Sequence, residues 1–172
     1  MARSKSDISN SAIRIFLQMV GDFYDEARGF DKFRPTKKQK EQLLDFFDGC
    51  CAFCGRTMTP ANFSQDHLVP MNKERLGLHA WGNVIPACKE CNGEKLHDSW
   101  KKFLTKKSRG QTLEGRMKRI ESFVEEMRYD PDLGLDDFAG NLYQDVGEVA
   151  MTLITLRYHQ AQDVIRNSLE KE

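Results

Sequence analysis

The sequence has no long apolar run: nothing in it approaches the ~20 consecutive apolar residues that a bilayer-spanning helix needs. Its first residues, MARSKSDISN, lead into an amphipathic stretch and lack the uninterrupted apolar segment and small-residue cleavage site of an export signal. The expected location is therefore the cytoplasm, with no membrane partner. Internal repeats and low-complexity tracts are also missing, which leaves a single non-repeating fold. With 40% apolar and 30% charged residues over 172 positions, the chain reads as one compact globular unit.

Net charge is absent too, with 26 Lys and Arg balancing 26 Asp and Glu. Taken alone, that balance argues against a nucleic-acid partner. Its distribution reverses the inference. Residues 1–120 carry 22 basic against 14 acidic side chains, whereas residues 121–172 carry 4 against 12. A basic body suited to phosphate is followed by an acidic C-terminal region that points elsewhere.

Apolar periodicity supplies most of the predicted structure. Ala12, Ile13, Phe16, Met19, Val20 and Phe23 recur at helical steps, which predicts a helix over ~8–27 with Gly29 as its stop. Thr36-Lys37-Lys38-Gln39 resembles a capping box, so a second helix should start at Thr36 and end near Gly49, with Leu43, Leu44, Phe46 and Phe47 facing the core. Short runs around His67-Leu68-Val69 and Asn83-Val84-Ile85 suit short strands. Glu94–Leu104 has helical composition. Residues 112–129 place Met117, Ile120, Val124 and Met127 on one helical face until Asp130-Pro131-Asp132 interrupts it. A last helix, ~136–169, presents Phe138, Leu142, Val146, Val149, Leu153 and Leu156 at helical spacing. That stripe needs cover, either from the chain's own core or from the same helix of a second copy.

Four of the five cysteines form two Cys-x-x-Cys knuckles, Cys51/Cys54 and Cys88/Cys91, with 33 residues between them. Two such knuckles complete a tetrahedron around Zn2+, and in a reducing compartment the thiols stay free to do so. Four thiolates leave no open coordination position, so this zinc is expected to be structural. Cys50, adjacent to the first knuckle, reads as a spare buried thiol. His79 and His97 stand as alternate ligands that four cysteines make unnecessary, and His159 reads as a solvated or packing histidine.

Between the knuckles lie Asp66-His67-Leu68-Val69-Pro70 and Gly77-Leu78-His79-Ala80-Trp81-Gly82-Asn83, and Asn92-Gly93-Glu94-Lys95 follows the second knuckle. Phosphodiester hydrolysis needs a water stripped of a proton, and a histidine with a pKa near ~6.5 can take it. Asp66 and His67 are sequence neighbours, so on an extended strand they point to opposite faces and can serve different tasks.

Over residues ~48–104 this pattern resembles the HNH endonuclease family: an Asp-His pair, a later Asn, and an Asn directly after a Cys-x-x-Cys, with a downstream Lys and Trp100 on the following helix. The resemblance implies a ββα-metal, treble-clef-like zinc core within a predominantly helical α+β chain. It further implies that His67 activates water, that Asp66 and Asn92 hold one Mg2+ or Mn2+, that Asn83 ties down the loop around His67, and that Lys95 steadies a phosphate. Asn92 replaces the motif's last histidine, which should favour Mg2+ or Mn2+ over softer ions.

The expected organisation is N-terminal helices over 1–47, a nuclease core with its zinc site over 48–108, and an acidic helical region over 109–172. Arg14, Arg28, Lys32, Arg34, Lys37, Lys38 and Lys40 of the first two helices could line a duplex backbone. DNA is the expected substrate, RNA being compatible with the same chemistry, in a restriction or phage-defence role. A homodimer through the C-terminal helix would bring two active sites to two strands. The competing reading is a non-catalytic zinc module that binds DNA or protein; the cysteines fit it equally, but it leaves Asp66, His67, Asn83 and Asn92 without a purpose. No base-reading motif such as a helix-turn-helix is evident.

Overall fold

The computed structural model describes residues 4–169, with the side chains of 166–169 left aside. Helix α1 spans Lys5–Ala27, three residues earlier than the apolar periodicity alone suggests. The reason is a full capping box. Asp7 N donates to Ser4 Oγ at 3.3 Å, and Ser4 N donates to Asp7 Oδ2 at 2.9 Å, which satisfies orphan donors at the helix start. Ile13, Leu17, Gly21 and Asp25 form its buried edge, four residues apart.

Helix α2 spans Lys37–Phe46 with Thr36 as its N-cap. Here only half of the expected box forms. Gln39 N donates to Thr36 Oγ1 at 3.2 Å, but the Gln39 side chain turns back onto the preceding loop, accepting from Arg34 N at 2.7 Å and donating to Lys32 O at 2.8 Å.

Strands β1 (Ser64–His67) and β2 (Val84–Ala87) pair antiparallel, with Asp66 opposite Ile85 and His67 opposite Val84. Helix α3 (Lys89–Lys95) follows β2 and packs on β1, completing a ββα unit. The single helix expected over Glu94–Leu104 is instead broken. Leu96 adopts φ 49°, and α4 restarts at Trp100 and runs to Lys107. Helices α5 (Gly110–Glu126) and α6 (Asp136–Leu169) complete the chain.

The interior divides into two clusters. The larger gathers Phe33, Leu43, Phe47, Phe53, Ile85, Leu104, Ile120 and Phe123, so α2, α4 and α5 all pack on the ββα unit. The smaller joins Ile13 and Leu17 of α1 to Leu78, Ala80, Tyr129 and Ala139. Asp25, fully buried, links the two: its carboxylate accepts from Trp81 N (3.1 Å), Phe33 N (2.9 Å) and the Arg28 guanidinium (2.7 Å). Gly21 lets α1 approach the loop before β2, since a Cβ there would sit 2.6 Å from His79 O.

Helix α6 answers the question of its partner in two parts. Its first half lies on α1, closely enough that a Cβ on Gly147 would meet Ser9 Oγ at 2.5 Å. From Met151 to Ala161 every residue is exposed.

Candidate active site

The four cysteines of the two knuckles converge, with all Sγ atoms within 4.8 Å of one another and Cys54 Sγ 3.7 Å from Cys88 Sγ. Four sulfurs held tetrahedrally at ~2.3 Å from one ion stand about 3.8 Å apart, so the spacing fits zinc. The first knuckle is shaped by its backbone: Cys51 N donates to Arg56 O at 2.8 Å, and Gly55 N donates to Cys51 O at 2.9 Å. Cys88 caps α3, and Cys91 lies in its first turn. Burial pushes the Cys51 thiol up to about 11 and carries Cys91 higher still. Left alone, these groups stay protonated at neutral pH. A bound cation reverses that, because a coordinating thiol is deprotonated outright.

Cys50 stands outside the cluster, its thiol donating to Asp48 O at 3.3 Å. His79 and His97 are outside it as well.

The second group of residues is arranged around β1. Strand alternation sends Asp66 inward and His67 to the other face. Ser64 and Asp66, two residues apart, share the side covered by α3. Asn92 Nδ2 donates to Ser64 Oγ at 2.8 Å there, which turns the amide oxygen away from that bond and leaves it available as an acceptor. Asp66 is 5% exposed; its Oδ1 accepts from Lys95 Nζ at 3.0 Å, while its buried Oδ2 has no hydrogen-bond partner. Burial holds the Asp66 carboxyl above the ordinary carboxylate range, with Lys95 acting in the opposite direction. A buried, unmatched carboxylate oxygen is costly, and a cation beside it would remove that cost. The donor set, one carboxylate and one amide oxygen, suits a hard divalent ion.

Lys95 has a different use from the one expected. It is 1% exposed, and its ammonium donates to Asp66 Oδ1 and, at 2.7 Å, to His67 O. Its charge is spent on fixing the strand that carries Asp66 and His67, and the ammonium does not face solvent where a phosphate would arrive.

On the opposite face His67 Nε2 lies 3.1 Å from His79 Nδ1. Burial, followed by the charges of His79, Lys95 and Arg14, depresses the His67 pKa to about 3, so its ring is neutral at physiological pH. His79 is lowered in the same direction by burial and Arg34. Read from sequence, His79 was only a spare zinc ligand. The signal that relocates it is Gly21, which admits α1 and its Asp22 and sets the His79 backbone against that helix. Asn83 is wholly buried and knits the long β1–β2 connection, accepting from Val69 N (2.8 Å) and donating to Val69 O (3.1 Å) and Leu78 O (2.7 Å).

A two-strand, one-helix unit carries this face, with a four-cysteine cluster at its base, an Asp-His pair on β1 and an Asn midway along α3. Residues 51–108 match the HNH endonuclease family. The HNH segment is about a third of the chain, beginning at the first knuckle and ending just after α4. It contains the four cysteines of the two knuckles and every residue of the β1 and α3 faces, whereas α1, α2, α5 and α6 lie outside it. No curated protein matches the chain. Nuclease chemistry on nucleic acid is what the HNH segment indicates, and no helix among the described residues is long and apolar enough to cross a membrane.

Several of the cations expected along a duplex are engaged elsewhere. Arg28 is turned inward onto Asp25, Arg34 pairs with Asp22, and Lys32 reaches Glu26 at 3.1 Å. Lys37 and Lys38 are exposed on the first turn of α2, with Lys37 3.8 Å from Glu41.

Proposed function

We propose that the chain is a divalent-metal-dependent endonuclease in which His67 is the general base and Asp66 and Asn92 hold one Mg2+ or Mn2+. The observation that carries this reading is the division of labour across β1: an unmatched, buried Asp66 oxygen on one face, and a neutral histidine with a fixed partner on the other.

The proton inventory at His67 follows from its neighbour. If His67 Nε2–H donates to His79 Nδ1, then His79 carries its own proton on Nε2 and the His67 Nδ1 lone pair is free. That lone pair takes a proton from the attacking water, whose oxygen bonds to phosphorus as the P–O3′ bond breaks; the departing oxygen is protonated by solvent. A divalent ion held by Asp66 and Asn92 would supply polarisation of the phosphate and stabilisation of the leaving oxygen. An incoming phosphodiester also raises the basicity of His67, because its negative charge opposes the cations that depress it. Lys95 holds the Asp66 carboxylate and the His67 carbonyl in register, and Asn83 anchors the loop that presents His79.

DNA is the proposed substrate, in a cytoplasmic restriction or phage-defence setting, and a second copy is proposed to dock on α6. Met151, Ile154, Tyr158, Ala161 and Ile165 follow one another at steps of three, four, three and four, the spacing of a two-helix seam. Met151, Ile154, Tyr158 and Ile165 of that seam are 36–58% exposed. A non-catalytic zinc module remains the second reading. It draws on Lys95, a cation already seated on Asp66.

Plasmid cleavage with Mg2+ or Mn2+ tests the proposal, wild type beside His67→Ala, with zinc content measured in both. Cutting by wild type alone at equal zinc content supports catalysis. Equal inactivity of both on DNA and RNA, with zinc bound, favours the binding module.

A further inference from the structure

Beside the site lies a cavity of about 550 Å3 that the HNH segment shares with helices outside it. Its walls come from three places: the turn at 71–75 just beyond the Asp66-His67 pair, His97 in the break that follows Lys95, and the flanking helices α1 and α6. The charged lining is lopsided, with Arg14, Lys73, Arg75 and His97 facing one carboxylate, Glu74. Among the described residues the Arg14 and Arg75 guanidinium groups make no ion pair or hydrogen bond. This contrasts with Arg28 and Arg34, whose charges are paired with Asp25 and Asp22.

The walls are built to hold their shape. Asn72 Oδ1 accepts from Glu74 N at 3.2 Å and Arg75 N at 2.9 Å, which fixes the turn that projects Lys73 and Arg75. Asn72 Nδ2 lies 3.5 Å from His97 Nδ1, linking the turn to the helix break. Lys73 sits over the Tyr143 ring of α6, 4.4 Å from its centroid. Gly77 closes the turn against the segment just after β1, since a Cβ there would lie 1.9 Å from Val69 O.

We propose that this cavity receives the phosphodiester backbone next to the scissile phosphate, with Arg14 and Arg75 as its principal phosphate contacts. The inference rests on the nuclease reading and deepens it: α1 and α6, which the family match does not include, become part of the substrate groove. The chemistry recognised is the phosphate chain, common to DNA and RNA. A groove lined by unpaired guanidinium groups and a small neutralising acid attracts polyanions and gains affinity by releasing their counterions.

The test is fluorescence anisotropy with labelled duplex DNA, single-stranded DNA and RNA, each titrated across a salt series without added divalent metal. The proteins are His67→Ala full-length chain and the same chain carrying R14A/R75A or K37A/K38A; zinc content and thermal melting verify that each is folded. The expected result is that R14A/R75A weakens binding at ~100 mM salt by at least about tenfold, and lowers the slope of log affinity against log salt by about two, one unit per lost phosphate contact. K37A/K38A should change both much less. An unchanged slope and affinity in R14A/R75A, with the parent protein binding, overturns the inference and leaves the nuclease reading in place. Failure of the parent to bind any of the three ligands overturns both. The ligand bound most tightly identifies the substrate class.

Discussion

The two chemical centres of the HNH segment are built on opposite plans. The cysteine cluster is closed: four ligands of one kind, delivered by one tight turn and the start of α3, would saturate a single tetrahedral ion. The β1 face is open. Its carboxylate has one oxygen satisfied by Lys95 and one left bare, and its histidine ring has a side-chain partner in His79. The difference teaches how such a domain separates stability from chemistry. At the cysteine cluster every ligand of the expected ion is already in place, whereas the bare Asp66 oxygen is left unmatched where the proposed metal would enter.

The largest effect that can test this separation is loss of zinc. Cys88→Ser, or treatment with a strong chelator, should abolish cooperative unfolding of the HNH segment along with activity, since structural zinc contributes roughly 10 kcal/mol to domains of this kind. Cys50→Ala should keep full zinc content, because its thiol points to Asp48 O and away from the cluster. Zinc analysis beside thermal melting checks both. A Cys88→Ser protein that melts like wild type would mean that the cluster is not what fastens the fold.

Next in size is the chemical centre. His67→Ala should cut the cleavage rate by about 10²–10⁴-fold while the melting temperature stays close to wild type, the reverse of the cysteine variant. His79→Ala should lower the rate less, since it removes only the tautomer partner, and a His79→Asn variant that restores an acceptor should recover part of it. Single-turnover cleavage rates separate these cases. Equal loss in His79→Ala and His79→Asn would show that the second ring acts by packing alone.

How much of this was legible from sequence follows the same division. The knuckles announced the closed centre, because metal-ligand spacing is local and a tight turn needs only its own residues. Asp66, His67, Asn83 and Asn92 could be picked out from a family pattern, and strand alternation put the first two on opposite faces. Lys95 could not be read correctly. Its sequence position, one helical turn beyond Asn92, is equally consistent with an outward and an inward ammonium, and only the packing of α3 on β1 decides. The break at Leu96 was hidden for a related reason: helix propensity runs on through 94–104, but α3 has to end once Lys95 is buried. His79 was invisible as a partner of His67 because the contact spans 12 residues of irregular loop, which periodicity does not describe.

Of moderate size are the effects on the framework that presents the open face. Asn83→Ala removes three hydrogen bonds from a wholly buried site and should destabilise the fold by about 3 kcal/mol. Asp25→Ala should cost a similar amount, on the order of 3–5 kcal/mol, because it removes the carboxylate partner of the buried Arg28 charge and strands two backbone donors, Phe33 N and Trp81 N, of the larger cluster. Denaturant melts measure both. If Asp25→Ala were silent, the two apolar clusters would not depend on this carboxylate for their alignment.

The smallest expected effect on the domain itself concerns the bare half of α6. Replacing Met151, Ile154 and Tyr158 by lysine together alters no contact with α1, since these side chains lie beyond the part of the helix that packs there. Stability of the monomer should therefore shift by less than about 0.5 kcal/mol, as for surface substitutions elsewhere. If a second copy covers this face, light scattering should show wild type as a dimer and the triple variant as a monomer. The plasmid product should change with it. A dimer delivers two sites and linearises the plasmid, whereas one site reaches one strand and yields nicked circles at an unchanged rate per active site. A wild-type protein that is monomeric at working concentration and still linearises plasmid would show that the apolar half of α6 serves some other surface.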